Sequence, residues 1–130
     1  IAADPGDPIR NRTNISTSRA EVMAAAGSRY GPSPVLADLH ELLEDPRRFL
    51  IIGKPCDISA IRQLASVDAR VDARFPYKLS FFCGGMPSLA GTKAIIADIG
   101  MGNTPISRFR YRGNGWPGKV EVAATDGRVG

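Results

Sequence analysis

Phe49-Leu50-Ile51-Ile52-Gly53-Lys54-Pro55-Cys56-Asp57 is the stretch on which the fold turns. Its first four residues are apolar without interruption. A run this short suits a strand buried on both faces, as in a parallel sheet. Gly53-Lys54-Pro55-Cys56 reads as the loop that leaves it. Asp57 can cap a following helix, in which Ile58, Ile61, Leu64 and Ala65 form one apolar stripe. The same order recurs downstream. Tyr77 to Phe82 reads as a second strand, Cys83-Gly84-Gly85-Met86-Pro87 as its loop, and Ser88 as the cap of a helix over residues 89–99.

Upstream, Ser18 followed by Glu21 has the spacing of a capping box, and Gly27 closes that helix. A second helix is expected over Pro34 to Glu44, where Val35, Leu36, Leu39, Leu42 and Leu43 share a face. Residues 1–17 hold Pro5, Gly6, Pro8 and many polar groups without periodicity, and read as a loop or linker. Downstream, Ile106 to Tyr111 reads as a third strand. Gly113-Asn114-Gly115 makes a tight turn, and Lys119 to Ala124 returns as a fourth strand. The expected class is therefore α/β: a mainly parallel sheet with helices packed on it and an antiparallel hairpin near the C-terminus.

The 130 residues fit one domain large enough to bury a core without disulfide staples. Two cysteines are too few for a secreted disulfide scaffold, so a cytoplasmic setting is expected. No stretch of about 18 apolar residues exists, so no membrane span is expected. The first residue is Ile1 and the last is Gly130, after a turn-like run. Both ends look cut, and residues 18–130 read as a fragment of a longer protein's C-terminal catalytic domain. The net charge is +4. Its one concentration is Arg108, Arg110, Arg112 and Lys119, and alternation on a strand puts the three arginines on one face. That face suits solvent or a phosphate-bearing ligand. A nucleic-acid module would add an aromatic and basic stacking platform, which is missing, so no nucleic-acid partner is expected.

Cys56 and Cys83 hold matching places, each after a strand and before a capped helix. Ligands of open α/β sheets bind outside the carboxyl ends of the strands. If the strands are neighbours, both thiols face one crevice, near helix N-termini that favour the negative charge of an iron-binding thiolate. Buried free thiols remain the plain alternative. A cysteine nucleophile is poorly supported, because the sole histidine, His40, lies mid-helix far along the chain. Lys54, beside Cys56, can reach a phosphate or a flavin ring, or simply be solvated. Ser28, Arg29 and Tyr30 combine hydroxyl, cation and ring in one glycine-bounded loop. Trp116, between Gly115 and Pro117-Gly118, should pack on the core or on a planar cofactor.

Four ordered motifs carry a resemblance. Gly27-Ser28-Arg29-Tyr30, Gly53-Lys54-Pro55-Cys56-Asp57, Phe81-Phe82-Cys83-Gly84-Gly85-Met86-Pro87-Ser88 and Arg110-Tyr111-Arg112-Gly113-Asn114-Gly115-Trp116-Pro117-Gly118 resemble the C-terminal domain of the coenzyme F420 hydrogenase/dehydrogenase beta-subunit family. The resemblance spans about residues 20–125. It implies an oxidoreductase that moves electrons between a 4Fe-4S cluster, FAD and a small-molecule acceptor such as coenzyme F420. An electron-donor subunit or ferredoxin is the implied partner. Cys56 and Cys83 are the implied iron ligands. Since a cluster takes four ligands, the others are expected outside this sequence. Ser28, Arg29, Tyr30, Lys54, Pro55, Arg112, Gly113 and Asn114 are expected to line the FAD pocket, with Lys54 as the catalytic group. Lys-Pro-Cys-Asp replaces the Thr-Pro-Cys-Gln of many members and points to the 7-hydroxymethyl chlorophyll a reductase-like branch. The competing expectation is a docking or structural domain of the same fold that has lost its cofactors.

Overall fold

The structure, a computed structural model, describes residues 1–113 and 115–130. The described chain forms two compact units, one of residues 35–85 and one of residues 1–34 with 86–130. In chain order the elements are β1 (Ala2–Ala3), β2 (Asn11–Arg12), α1 (Arg19–Ala24), α2 (Leu39–Glu44), β3 (Leu50–Gly53), α3 (Pro55–Ala65), α4 (Arg70–Arg74), β4 (Tyr77–Ser80), α5 (Leu89–Asp98), β5 (Ile106–Gly113) and β6 (Lys119–Ala124).

The unit of residues 35–85 is built around the stretch quoted first. β3 and β4 pair in parallel, with Leu50 opposite Tyr77 and Gly53 opposite Ser80. The intervening α3 and α4 bury Ile58, Ile61, Val71 and Phe75 against Ile51 and Leu43. Burying each such side chain contributes about 1.5–3 kcal/mol. The Phe49 N–H donates to the Arg74 carbonyl at 2.7 Å, and the rings of Phe49 and Phe75 lie 5.8 Å apart. The strand expected to be buried on both faces is buried on one. Ile51 and Gly53 face inward, while Leu50 and Ile52 are 53% and 57% exposed. The physical reason is that β3 pairs with β4 alone, and α3 covers a single face of a two-stranded ribbon. α2 is also shorter than expected. Its predicted first turn is a separate hydrogen-bonded turn in which the Leu39 N–H reaches back to the Leu36 carbonyl at 3.2 Å.

In the other unit, β5 and β6 form the expected antiparallel hairpin, with Phe109 opposite Val122. Both residues are buried, and Ile96 of α5 and Met101 pack on them. Ser88 caps α5 by accepting the Gly91 N–H at 3.1 Å. The Ser18 capping box forms as spaced. Ser18 Oγ accepts the Glu21 N–H at 3.2 Å, and the Glu21 carboxylate accepts the Ser18 N–H at 3.2 Å. Residues 1–17, expected as loop or linker, carry the β1–β2 antiparallel pair. The α/β class, the parallel pair and the C-terminal hairpin are thus as expected. The described strands form three two-stranded sheets instead of one sheet.

Candidate functional site

The parallel register sets the first candidate site. Gly53 and Ser80 are the last paired residues of β3 and β4. Cys56 and Cys83 each follow by three positions. Adjacent strands run about 4.8 Å apart, so both cysteines emerge at one end of one ribbon. Both thiols are free and exposed. Their local settings differ. Cys83 lies outside helix and strand, its Sγ 3.9 Å from the Gly85 carbonyl. Cys56 was expected in a loop, but β3 passes into α3 almost at once. Lys54 is the N-cap, Pro55 takes the first helical position, and Cys56 is the second residue of the helix. Proline suits that position because its missing N–H has no helical partner there.

Gly53 makes the abrupt turn possible. A Cβ at this position would stand 3.0 Å from the Cβ of Asp57. Asp57 accepts the Lys54 N–H at 3.0 Å and pairs with Lys54 Nζ at 2.7 Å. Both side chains are largely buried. The predicted cap therefore acts from the third helical position, reaching back, and the Lys54 ammonium is held on it. Among the described residues no group of three or more His, Cys, Asp or Glu side chains is placed to hold a metal. The chain supplies two thiols, half of what a 4Fe-4S cluster takes.

The remaining predicted site residues belong to the other unit. Ser28 and Arg112 form an isolated antiparallel bridge, and Arg112 Nε donates to Ser28 Oγ at 3.2 Å. Arg112 Nη2 also donates to the Tyr30 hydroxyl. Its guanidinium lies 5.4 Å from the Tyr30 ring centre and 4.6 Å from that of Trp116. Tyr111 packs on Tyr30 and edge-on against Phe109, and its hydroxyl bonds Thr92 Oγ1. Gly113 is buried at the end of β5. Asn114 lies outside the described residues.

Arg29 is spent on the chain itself. It donates to Asn11 Oδ1 at 2.5 Å and to the carbonyls of Phe109, Pro8 and Arg10 at 2.8–3.1 Å. Those bonds tie residues 8–11 to β5. Burial pulls its pKa below the ordinary arginine value; Tyr111 pushes it back up and Arg110 lowers it further. Next to it lies a cleft of about 280 Å³, lined by Ser28, Arg29, Arg108, Arg110 and Asp4 among others. Arg108 pairs with Glu121 at 2.5 Å. The structure brings Ser28, Arg29, Tyr30, Arg112 and Gly113 into one unit, with Lys54, Pro55 and the two cysteines in the other. Tyr111, Thr92 and Asn11 were missed. Only Tyr111 carried a sequence signal, its place inside Arg110-Tyr111-Arg112.

A family model for the C terminus of the coenzyme F420 hydrogenase/dehydrogenase beta subunit matches residues 46–130. A model for the N-terminal part of the same protein family matches residues 1–40. The coenzyme F420 hydrogenase subunit beta of Methanococcus voltae is 30% identical over 103 residues, which are 75% of this chain and 36% of that protein. Among solved structures, the xenon-derivatised F420-reducing [NiFe] hydrogenase complex of Methanosarcina barkeri aligns with a TM-score of 0.66 and 20% identity. That alignment covers 99% of this chain and 45% of the matched one. The chain thus spans less than half the length of either relative.

Proposed function

For a chain that belongs to the coenzyme F420 hydrogenase/dehydrogenase beta-subunit family, we propose service in an iron–sulfur flavoprotein oxidoreductase. It passes electrons between a 4Fe-4S cluster, FAD and an acceptor such as coenzyme F420. One observation carries this reading: Cys56 and Cys83 leave neighbouring parallel strands at the same offset, and both are exposed. A buried structural cysteine has no need of either property.

The donor set bounds the proposal. Two thiolates cannot complete a 4Fe-4S site, so the other ligands come from chain outside these residues or from a partner. Lys54 acts through its pair with Asp57, which fixes the turn that presents Cys56. Ser28, Tyr30, Arg112, Gly113 and Asn114 are the proposed flavin contacts, with Arg29 bracing the strand beneath them. FAD, when bound, supplies the conversion between one- and two-electron transfer. The donor partner is a ferredoxin or an electron-transfer subunit, in keeping with a solved neighbour that is a hydrogenase complex.

The test is anaerobic reconstitution of the full-length protein that contains this chain, with iron and flavin counted per molecule. Cys56→Ser and Cys83→Ser are each expected to lower iron content and leave FAD bound. Unchanged iron in both variants would remove the cysteines from the ligand set.

A further inference from the structure

We infer that Trp116 is a stacking platform for a planar heteroaromatic ring whose phosphates enter the adjoining arginine cleft. The inference rests on the flavin reading above and adds to it a contact and an orientation. Trp116 is 83% exposed. With Arg112 against the indole, the rest of a large planar ring is open to a ligand that can stack on it. Of the two options the sequence leaves for it, packing on the core of the described residues is excluded by that exposure.

The loop that carries the ring is tight. Trp116 sits between Gly115 at φ +105° and Pro117-Gly118, with Gly118 at φ +56°. At Gly118 a Cβ would stand 2.6 Å from the Gly115 carbonyl oxygen and 2.9 Å from that of Gly113, so the loop closes tightly on itself. Arg112 lies against the indole at 4.6 Å and is anchored in turn by Ser28 and Tyr30. Tyr30 leans on Tyr111, which is tied to Thr92 of α5. An exposed aromatic at the end of such a chain is preorganised, and a ligand that stacks on it loses little to ordering the protein.

Ser28 joins this stack to the cleft. Its hydroxyl accepts from Arg112, and the same residue lines the cavity of about 280 Å³. Arg29, Arg108 and Arg110 line that cavity with one carboxylate, Asp4. Asp4 Oδ1 accepts the N–H groups of Gly6 and Asp7, and Arg108 pairs with Glu121. The surplus is positive, and the volume suits a diphosphate. A ring joined to phosphates is chemistry that both halves of FAD share, isoalloxazine at one end and adenine at the other.

Trp116 is the sole tryptophan of these 130 residues. The experiment titrates the full-length protein that contains this chain with FAD, FMN, ADP and riboflavin, and position 116 is read as the difference from Trp116→Phe. Indole emission is followed, and binding is measured independently by equilibrium dialysis. FAD is expected to quench Trp116 saturably. FMN or ADP should reproduce the quenching, and which one does so identifies the stacked ring. Trp116→Ala should weaken FAD binding by about five- to tenfold, while Trp116→Phe keeps most of it. Arg108→Gln with Arg110→Gln should weaken FAD and leave riboflavin, which lacks phosphate, unchanged. Dialysis that shows bound FAD with unaltered emission and no effect of Trp116→Ala overturns the stack and leaves the flavin reading standing. Dialysis that shows no binding of FAD, FMN or ADP overturns both.

Discussion

Single residues here do work that their type does not announce. Arg29 looks like an anion ligand, yet its hydrogen bonds go to one amide and three backbone carbonyls. Gly53 looks like a loop residue, yet it is the point where strand and helix nearly touch. Its backbone needs no left-handed conformation, so the constraint is space. Gly53→Ala is expected to push Asp57 and the start of α3 outward and cost about 1–3 kcal/mol, read by urea denaturation. Asp45 offers a pH test. Hydrogen bonds from the Arg47 side chain and then its backbone hold the Asp45 carboxyl at about 2, below its ordinary 3.8. A depressed carboxyl stabilises the fold above its unfolded value and stops doing so as pH falls through the folded one. This contribution should thus be intact above about pH 4 and lost toward about pH 2. Carboxyl NMR should show the Asp45 midpoint near 2, rising toward 3.8 in Arg47→Gln.

Among the elements, α1 and α3 mark two ways of holding a helix. α1 buries no residue, so its capping box is its main local support. Ser18→Ala should abolish hydrogen-exchange protection across residues 19–24 and leave the β5–β6 hairpin protected. α3 adds burial to its cap, with Ile61 wholly enclosed. Ile61→Val should cost about 0.5–1.5 kcal/mol and Phe75→Ala about 3–5 kcal/mol, measured by chemical denaturation. Capping and stripe spacing are local, and both were legible in the sequence. α4 was not, because five residues carry too little periodicity to separate from a turn.

At the scale of the whole molecule, the β3–β4 ribbon presents Leu50, Ile52, Tyr77 and Leu79 on one exposed face, paired by the register. A contiguous apolar face of this kind binds hydrophobic dyes and promotes association. Ile52→Lys with Leu79→Lys should lower dye binding by the 130-residue chain without changing its helix content by circular dichroism. The same ribbon divides what could be read from what could not. The sequence alone determined the strand–helix–strand order, the parallel sense of that pair, the hairpin, and the equal offset of Cys56 and Cys83. These follow from hydrophobic periodicity, caps and turns, which act over a few residues. Only the tertiary structure decided that β3 is covered on one face, that Lys54 is committed to Asp57, and that Arg29 braces the chain while Arg112 stacks on Trp116. Each of those depends on which distant groups meet, Arg112 with Ser28 across 84 positions for example. Partners that far apart leave no mark on local spacing.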